Sequence, residues 1–289
     1  MKSLARAISI VENESEGYRE ILFSLDADRK IPVIGFTGPP GAGKSTLING
    51  IIDILSSEQK KVAVIAIDPT SPFNYGSLLG DRLRMSAHFT DPNVFIRSIA
   101  TRGSLGGLSE KTTEITDVLK SFSFDLIIVE TVGVGQSEVE IAGLADTTVV
   151  VLVPESGDEI QTMKSGLMEI ADIFVVNKSD REGADIFAGN LIKLVHAHAT
   201  KEWEIPVIKT SAIASKGIGE LINAIEKHGK SLASGRKKNL LLAEKAWRLI
   251  QRRRMKSINR NELLERIEKS LNVPGFNLYK FADSYSSED

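Results

Sequence analysis

The sequence predicts an α/β fold: a doubly wound, mostly parallel sheet, with helical extensions before and after it. Three observations carry this reading. Short, nearly continuous apolar runs alternate with longer helical patterns from about Ile31 to Gly229. Those runs are apolar on both faces, as strands are when helices cover both sides of a parallel sheet. The two flanks lack strand signals and show only apolar stripes at helical spacing.

Taken in order, residues 1–30 read as an N-terminal helical arm of one or two amphipathic helices, with Leu4, Ala7, Ile8 and Val11 on one stripe. Strands are predicted at Pro32–Thr37, Val62–Ile67, Val94–Ala100, Leu126–Val129, Thr147–Val153, Ile173–Val176 and Pro206–Ile208. Between them lie helical patterns such as Ser45–Leu55, Ser109–Lys120, Glu159–Ile170 and Ile218–Lys227. Right-handed crossovers joining such units give one doubly wound domain over residues 31–229. Residues 230–289 form a C-terminal helical arm. Leu240, Ala243, Trp247 and Ile250 mark one helix there and Leu263, Leu264, Ile267 and Leu271 another, while the polar stretch Asp283–Asp289 is expected to fray.

Composition narrows the function classes. The chain has 289 residues, 42% of them hydrophobic and 26% charged, with a formal charge of −2. That is the composition of a globular protein with a sizeable core, and the near-zero charge names no partner. The absence of cysteine excludes disulfides, thiolate-held zinc or iron–sulfur centres and thiol catalysis. No apolar run is long enough to span a membrane. The N-terminus carries Glu12, Glu14, Glu16 and Glu20, unlike a secretory signal or an organellar presequence, so a cytoplasmic location is expected. Residues 236–260 hold ten Lys or Arg against one Glu. Without aromatic stacking partners this run reads as a solvated helix face, not a nucleic-acid surface.

Gly38-Pro39-Pro40-Gly41-Ala42-Gly43-Lys44-Ser45 follows an apolar strand and opens a helix, the setting of a phosphate-binding loop. Small residues let successive backbone N–H groups converge on phosphate oxygens, and the helix dipole adds positive potential there. Lys44 is expected to reach the β- and γ-phosphates and the Ser45 hydroxyl to ligate Mg²⁺, with Thr46 counted among the nucleotide-binding residues of the loop. Asp68 and Glu130 close the second and fourth strands, at the sheet end where ligands of such folds bind, and are further candidates for holding Mg²⁺. Read locally, Asp68 is also a turn cap before Pro69, and Glu130 a solvated strand-end acid.

Asn177-Lys178-Ser179-Asp180 follows another apolar strand and precedes Thr210-Ser211-Ala212. A carboxylate accepts from both N1–H and the 2-amino group of guanine, whereas adenine offers it neither. A site built on such donors rejects the wrong base by roughly 10⁴-fold. Asp180 is thus the expected guanine reader, Asn177 a brace between loops and Lys178 a cover for the base plane. Backbone N–H groups of Ser211, Ala212 and Ile213 are expected to close over the guanine edge. These motifs together point to a protein that binds GTP and GDP.

The residues also resemble a known family, the MeaB/ArgK-type GTPases, kin to nickel-delivery GTPases. The likeness rests on Glu130-Thr131-Val132-Gly133-Val134-Gly135-Gln136-Ser137-Glu138, where Glu replaces the Asp usual in the corresponding Ras-like element, and on Asp68-Pro69-Thr70-Ser71, Leu79-Gly80-Asp81-Arg82 and Gly103–Gly107. Pro154–Gln161 is similar to the family's additional switch. The sequence departs from the family at Pro72-Phe73-Asn74-Tyr75, where relatives carry a small, glycine-rich stretch, and at Arg82, usually Lys. The resemblance implies that Asp68, Asp81 and Glu130 are Mg²⁺-associated acids, that residues 131–138 form the second switch and 154–164 a partner-facing third. It further implies a homodimer that chaperones an adenosylcobalamin-dependent acyl-CoA mutase.

Hydrolysis by direct attack of water is the expected chemistry, with Lys44, Glu130 and Gln136 as the candidate catalytic residues. Gln136 is the polar candidate for orienting water, and equally reads as a helix-start residue. The rival readings are a GTP-gated metallochaperone, a kinase as the older description of the family suggests, and a non-enzymatic GTP-dependent scaffold. The metallochaperone reading is weakened by the missing cysteines and by His196 and His198 lying on roughly opposite helix faces.

Overall fold

The computed structural model describes residues 1–26, 30–68, 85–100, 110–133, 140–156, 166–197, 203–231, 242–243, 246–247, 249–251, 254–255, 258–272 and 275–286. Two compact units are present, Met1–Lys237 and Lys238–Asp289.

The first unit is built on a seven-stranded sheet of β1 (Val33–Thr37), β2 (Val62–Asp68), β3 (Val94–Ala100), β4 (Leu126–Glu130), β5 (Thr147–Leu152), β6 (Ile173–Val176) and β7 (Val207–Lys209). All pairings are parallel, in the order β3-β2-β4-β1-β5-β6-β7. Strand alternation assigns each face its cover. Val62, Val64, Ile128, Val149 and Val151 pack with Leu47, Ile48, Ile51 and Ile52 of α3 (Lys44–Ser57). Ile218, Leu221 and Ile225 of a later helix, Ile218–Ser231, share that face.

Ala63, Ile65, Ile127 and Val129 point the other way. They meet Leu4, Ile8 and Val11 of α1 (Lys2–Glu12) and Ile115, Val118 and Leu119 of α4 (Glu110–Lys120). The short helix α2 (Tyr18–Phe23) follows α1, and α5 (Gly166–Ile170) precedes β6. On the far half of the same face, Val150, Leu152, Phe174 and Val176 pack with Phe187, Leu191 and Val195 of α6 (Ala184–Ala197). The helix Ile218–Ser231 is α7. The stripe read in residues 1–30 is therefore a core face, and α1 is integral to the sheet domain's packing. Arg97 on β3 fixes it further, donating to Glu12 at 2.5 Å, as does Lys111, 2.9 Å from Glu14.

The amino ends of the strands are closed by a repeated device. Asp125, Asp146 and Asp172 each stand just before a strand and accept from a backbone N–H at the start of its neighbour. The partners are Lys61 at 2.8 Å, Val33 at 2.9 Å and Thr148 at 2.8 Å. A parallel sheet leaves such N–H groups unpaired at its edge, and a carboxylate satisfies them for about 1–2 kcal/mol each. Beside Asp172, the buried His228 lies 3.2 Å from its Oδ1 and 2.8 Å from Thr147 Oγ1. Trp203 donates its indole N–H to Asp172 O at 2.8 Å and sets its ring edge-on to His228.

In the second unit, α8 (Arg260–Leu271) starts at Asn259, whose side chain accepts from Asn261 N–H. The last helix, α9 (Leu278–Ser286), extends over the first four residues of the stretch expected to fray, and residues 287–289 lie outside the described residues. Asn277 Oδ1 accepts from Tyr279 and Lys280 N–H at 3.0 and 3.1 Å, an N-cap on its first turn. Of the expected helix at 159–170, the described part is α5.

Candidate functional site

The carboxyl ends of the central strands carry the motif residues. Beyond β1 the loop Gly38–Gly43 turns into α3, whose N-cap, Gly43, adopts a left-handed φ of 87° and offers no side-chain cap. The first N–H groups of α3 are thus left to backbone or ligand. Gly43 is also forced by space, since a Cβ there would lie 2.4 Å from Asn177 Nδ2. Pro40, Gly41 and Thr46 are exposed, while Ala42 is buried. The buried Lys44 ammonium donates to Gly38 O at 2.7 Å and Pro39 O at 3.1 Å, so its charge is held within the loop itself.

Ser45 Oγ donates to Glu130 Oε1 at 2.7 Å, across 85 positions of sequence. Register places the acids together. Ala66 pairs with Glu130 and Phe36 pairs with Glu130, so Asp68, two residues past Ala66, projects from the same sheet face one step nearer the carboxyl edge. Asp68 is 1% exposed and Glu130 7%. Beyond Glu130 the chain returns to the phosphate loop. Thr131 hydroxyl donates to the Thr37 hydroxyl at 3.0 Å, and Thr131 N–H bonds Phe36 O. Gly133 approaches so closely that a Cβ would sit 2.2 Å from Gly38 O and 2.7 Å from Lys44 Nζ.

On the base side, Asn177 joins three segments. Its Nδ2 donates to Ala42 O at 2.8 Å, and its Oδ1 accepts from Thr210 Oγ1 at 3.1 Å and Ala212 N–H at 3.2 Å. Lys178 adopts a left-handed φ of 56°, held by Arg181 N–H on its carbonyl and by Ser179 N–H on Thr210 O. This turn exposes the Asp180 carboxylate, whose Oδ1 accepts from Ser211 Oγ at 2.5 Å. That hydrogen bond is the main reason its carboxyl sits below the ordinary carboxylate range, helped by a backbone N–H and by Arg181 and Lys216. Of the three amides expected over the guanine edge, Ser211 N–H bonds Lys216 O and Ala212 N–H bonds Asn177. Ile213 sits at the tip of this loop, 92% exposed.

Asp81 and Gln136 lie outside the described residues, as do residues 134–138 and 157–164 of the expected switches. Two contacts had no signal in the motifs. Arg181, directly after the base motif, pairs with Glu155 at the start of the 154–164 segment and holds that carboxyl below its ordinary range. Thr37 is the other, an ordinary strand-end residue until Thr131 is seen beside it. Neither pairing is visible locally, because the partners are 26 and 94 positions apart.

The family model described as "Methylmalonyl Co-A mutase-associated GTPase MeaB" matches residues 4–271. A putative GTPase of Pyrococcus abyssi is 52% identical over 243 residues, covering 82% of this chain and 75% of its own length. A putative GTPase of Pyrococcus horikoshii is 45% identical over 297 aligned positions, covering 100% of this chain and 92% of its own. Among solved structures, one described as a LAO/AO transport system kinase superposes with a TM-score of 0.72 over 99% of this chain and 92% of its own. At 24% identity it speaks for the fold.

Proposed function

This chain belongs to the family of methylmalonyl-CoA mutase-associated GTPases, and from that premise we propose how its residues divide the work. The phosphates of GTP or GDP lie on Gly38, Pro39, Pro40, Gly41, Ala42, Gly43, Lys44, Ser45 and Thr46. Guanine is read by Asn177, Lys178, Asp180, Ser211, Ala212 and Ile213. The single observation that supports this division best is the position of Asn177. One buried side chain holds Ala42 of the phosphate loop and Thr210 and Ala212 of the base loop, so both halves form one preorganised cradle.

The donor set suits Mg²⁺. Ser45, Asp68 and Glu130 supply only oxygen, and hydroxyl plus carboxylate at the phosphate end of the loop is the chemistry a hard divalent cation takes. Asp81 completes the set in this proposal. When bound, the ion would neutralise charge on the phosphates. Lys44 leaves Gly38 O and Pro39 O for phosphate oxygens, exchanging two neutral acceptors for charged ones. Water then attacks the γ-phosphorus, the bond to the bridging oxygen breaks, and GDP and phosphate leave. Lys44 and the α3 amides stabilise the charge that develops. Gln136 orients the water, and Glu130 restrains Ser45.

The difference between GTP and GDP biases residues 131–138 and 154–164, and through them the assembly or protection of an adenosylcobalamin-dependent acyl-CoA mutase. Residues 230–289 serve a homodimer, consistent with exposed Leu264 and Leu271 on α8. Calorimetry with GTP, GDP and ATP, each with and without Mg²⁺, tests the site. Guanine nucleotides bind at least ~10⁴-fold tighter than ATP if Asp180 reads the base. Equal binding of ATP overturns the reading. For the partner, a purified cobalamin-dependent acyl-CoA mutase should be retained by the GTP-loaded protein and released on exchange to GDP, or the reverse. Equal retention in both states rejects the gating.

A further inference from the structure

We infer that Ser98 is a positioning residue for Asp68, its hydroxyl engaging that carboxylate when nucleotide and metal are bound. The inference rests on the reading of Asp68 as a Mg²⁺-associated acid.

Ser98 stands out against its own strand. On β3 the residues sharing its face, Val94, Ile96 and Ala100, are apolar, and Ser98 alone brings a polar group. It is 6% exposed, and its Oγ has no hydrogen-bond partner among the described residues. Several other buried hydroxyls of this unit are satisfied: Thr37 with Thr131, Thr147 with His228, Thr210 with Asn177 and Ser211 with Asp180. A buried hydroxyl without a partner is costly, and an alanine here would keep the strand and avoid that cost. A group that the fold does not use is best explained by a second state that does.

Register says what that state involves. Ser98 pairs with Ala66, and Ala66 pairs with Glu130, so the three lie in one row on the face that carries Ser45 and α3. Asp68 pairs with Ala100, one step toward the carboxyl edge on the adjacent strand, diagonal to Ser98. The residues flanking this diagonal, Ala66 and Ala100, are small and buried, so neither brings a long side chain between hydroxyl and carboxylate. Arg97 and Ile99 face the opposite side, toward α1 and α4, and play no part. A charge-assisted O–H···O⁻ bond from Ser98 to one carboxylate oxygen would fix the plane of Asp68 and leave its other oxygen toward the metal.

The test uses the full chain loaded with a fluorescent GDP, following its release over a Mg²⁺ titration, for the parent, Ser98→Ala, Ser98→Thr and Asp68→Asn. Thermal unfolding without nucleotide runs in parallel. Ser98→Ala should raise the Mg²⁺ concentration for half-maximal GDP retention roughly tenfold. Ser98→Thr, which keeps the hydroxyl, should return it to within about twofold. Without nucleotide, Ser98→Ala should melt at or above the parent, the opposite of what a structural hydroxyl would do. If Asp68→Asn loses the Mg²⁺ response while Ser98→Ala keeps the parent's, the inference falls and the Asp68 reading stands. If Asp68→Asn responds as the parent does, the reading of Asp68 falls and takes the inference with it.

Discussion

The two ends of the same sheet use their polar groups in opposite ways. At the amino end, Asp125, Asp146 and Asp172 each close a neighbouring strand, and His228, Thr147 and Trp203 complete a network around Asp172. At the carboxyl end, Lys44 rests on carbonyls of its own loop, α3 starts without a side-chain cap, and Ser98 Oγ is buried without a partner among the described residues. One edge has committed its hydrogen bonds to the fold. The other holds groups that the proposed function hands to phosphate and metal. Stability and affinity should therefore respond to different substitutions, and the separation can be tested in both directions.

The largest effect is expected for Lys44→Ala. Nucleotide affinity should fall by roughly 100-fold or more, because a charge-assisted contact to phosphate is lost. The unfolding midpoint without nucleotide should hardly move. Nucleotide titration and a thermal melt of the same sample check both halves.

Asn177→Ala tests where the separation should fail, since that residue belongs to the site yet holds three segments together. It should cost about 2–3 kcal/mol of stability and also weaken GDP binding by roughly tenfold, from the loss of several buried hydrogen bonds. Denaturant unfolding beside the titration would show whether both move. Asp172→Ala is the mirror case, removing the partners of Thr148 N–H and His228. About 2 kcal/mol should be lost in denaturant unfolding, with GDP affinity within about twofold of the parent. An affinity loss as large as that of Asn177→Ala would break the comparison.

The smallest effect concerns pH. The folded Asp180 carboxyl sits below its ordinary value, chiefly through Ser211, so it stays ionised at a pH where an ordinary aspartate has begun to take up its proton. A depressed folded value means that the benefit is complete above the ordinary pKa and is lost as pH falls through the folded one. Ser211→Ala should move that loss upward, toward the ordinary value. Carboxyl resonances followed by NMR across acid pH would report the shift directly.

The strands are the most legible part of the sequence, because a helix-covered parallel sheet writes itself as doubly apolar runs. Observed boundaries differ from the expected ones by about a residue, as at β2, which includes Asp68, and β5, which ends at Leu152. The stripe Leu4, Ala7, Ile8 and Val11 announces a buried face but not what buries it, since nothing local says that α1 lies on β2, β3 and α4. Polarity alone makes Asp283 onward look frayed. The helix that begins at the Asn277 cap nonetheless takes in the first four residues of that stretch, through Ser286. In the site, residue types and spacing indicate phosphate and guanine chemistry. Ser98, Arg181 and Thr37 stay silent, because their significance depends on which strand or loop lies alongside.

The chain's two tryptophans fall one in each compact unit, Trp203 in Met1–Lys237 and Trp247 in Lys238–Asp289. Trp203 is tied by its indole N–H to Asp172 and stacked edge-on to His228, whereas Trp247 is 58% exposed. Their emission should accordingly differ in colour, and replacing either with phenylalanine yields a single-chromophore protein. Intrinsic fluorescence would then follow the melting of each unit separately, without any added label.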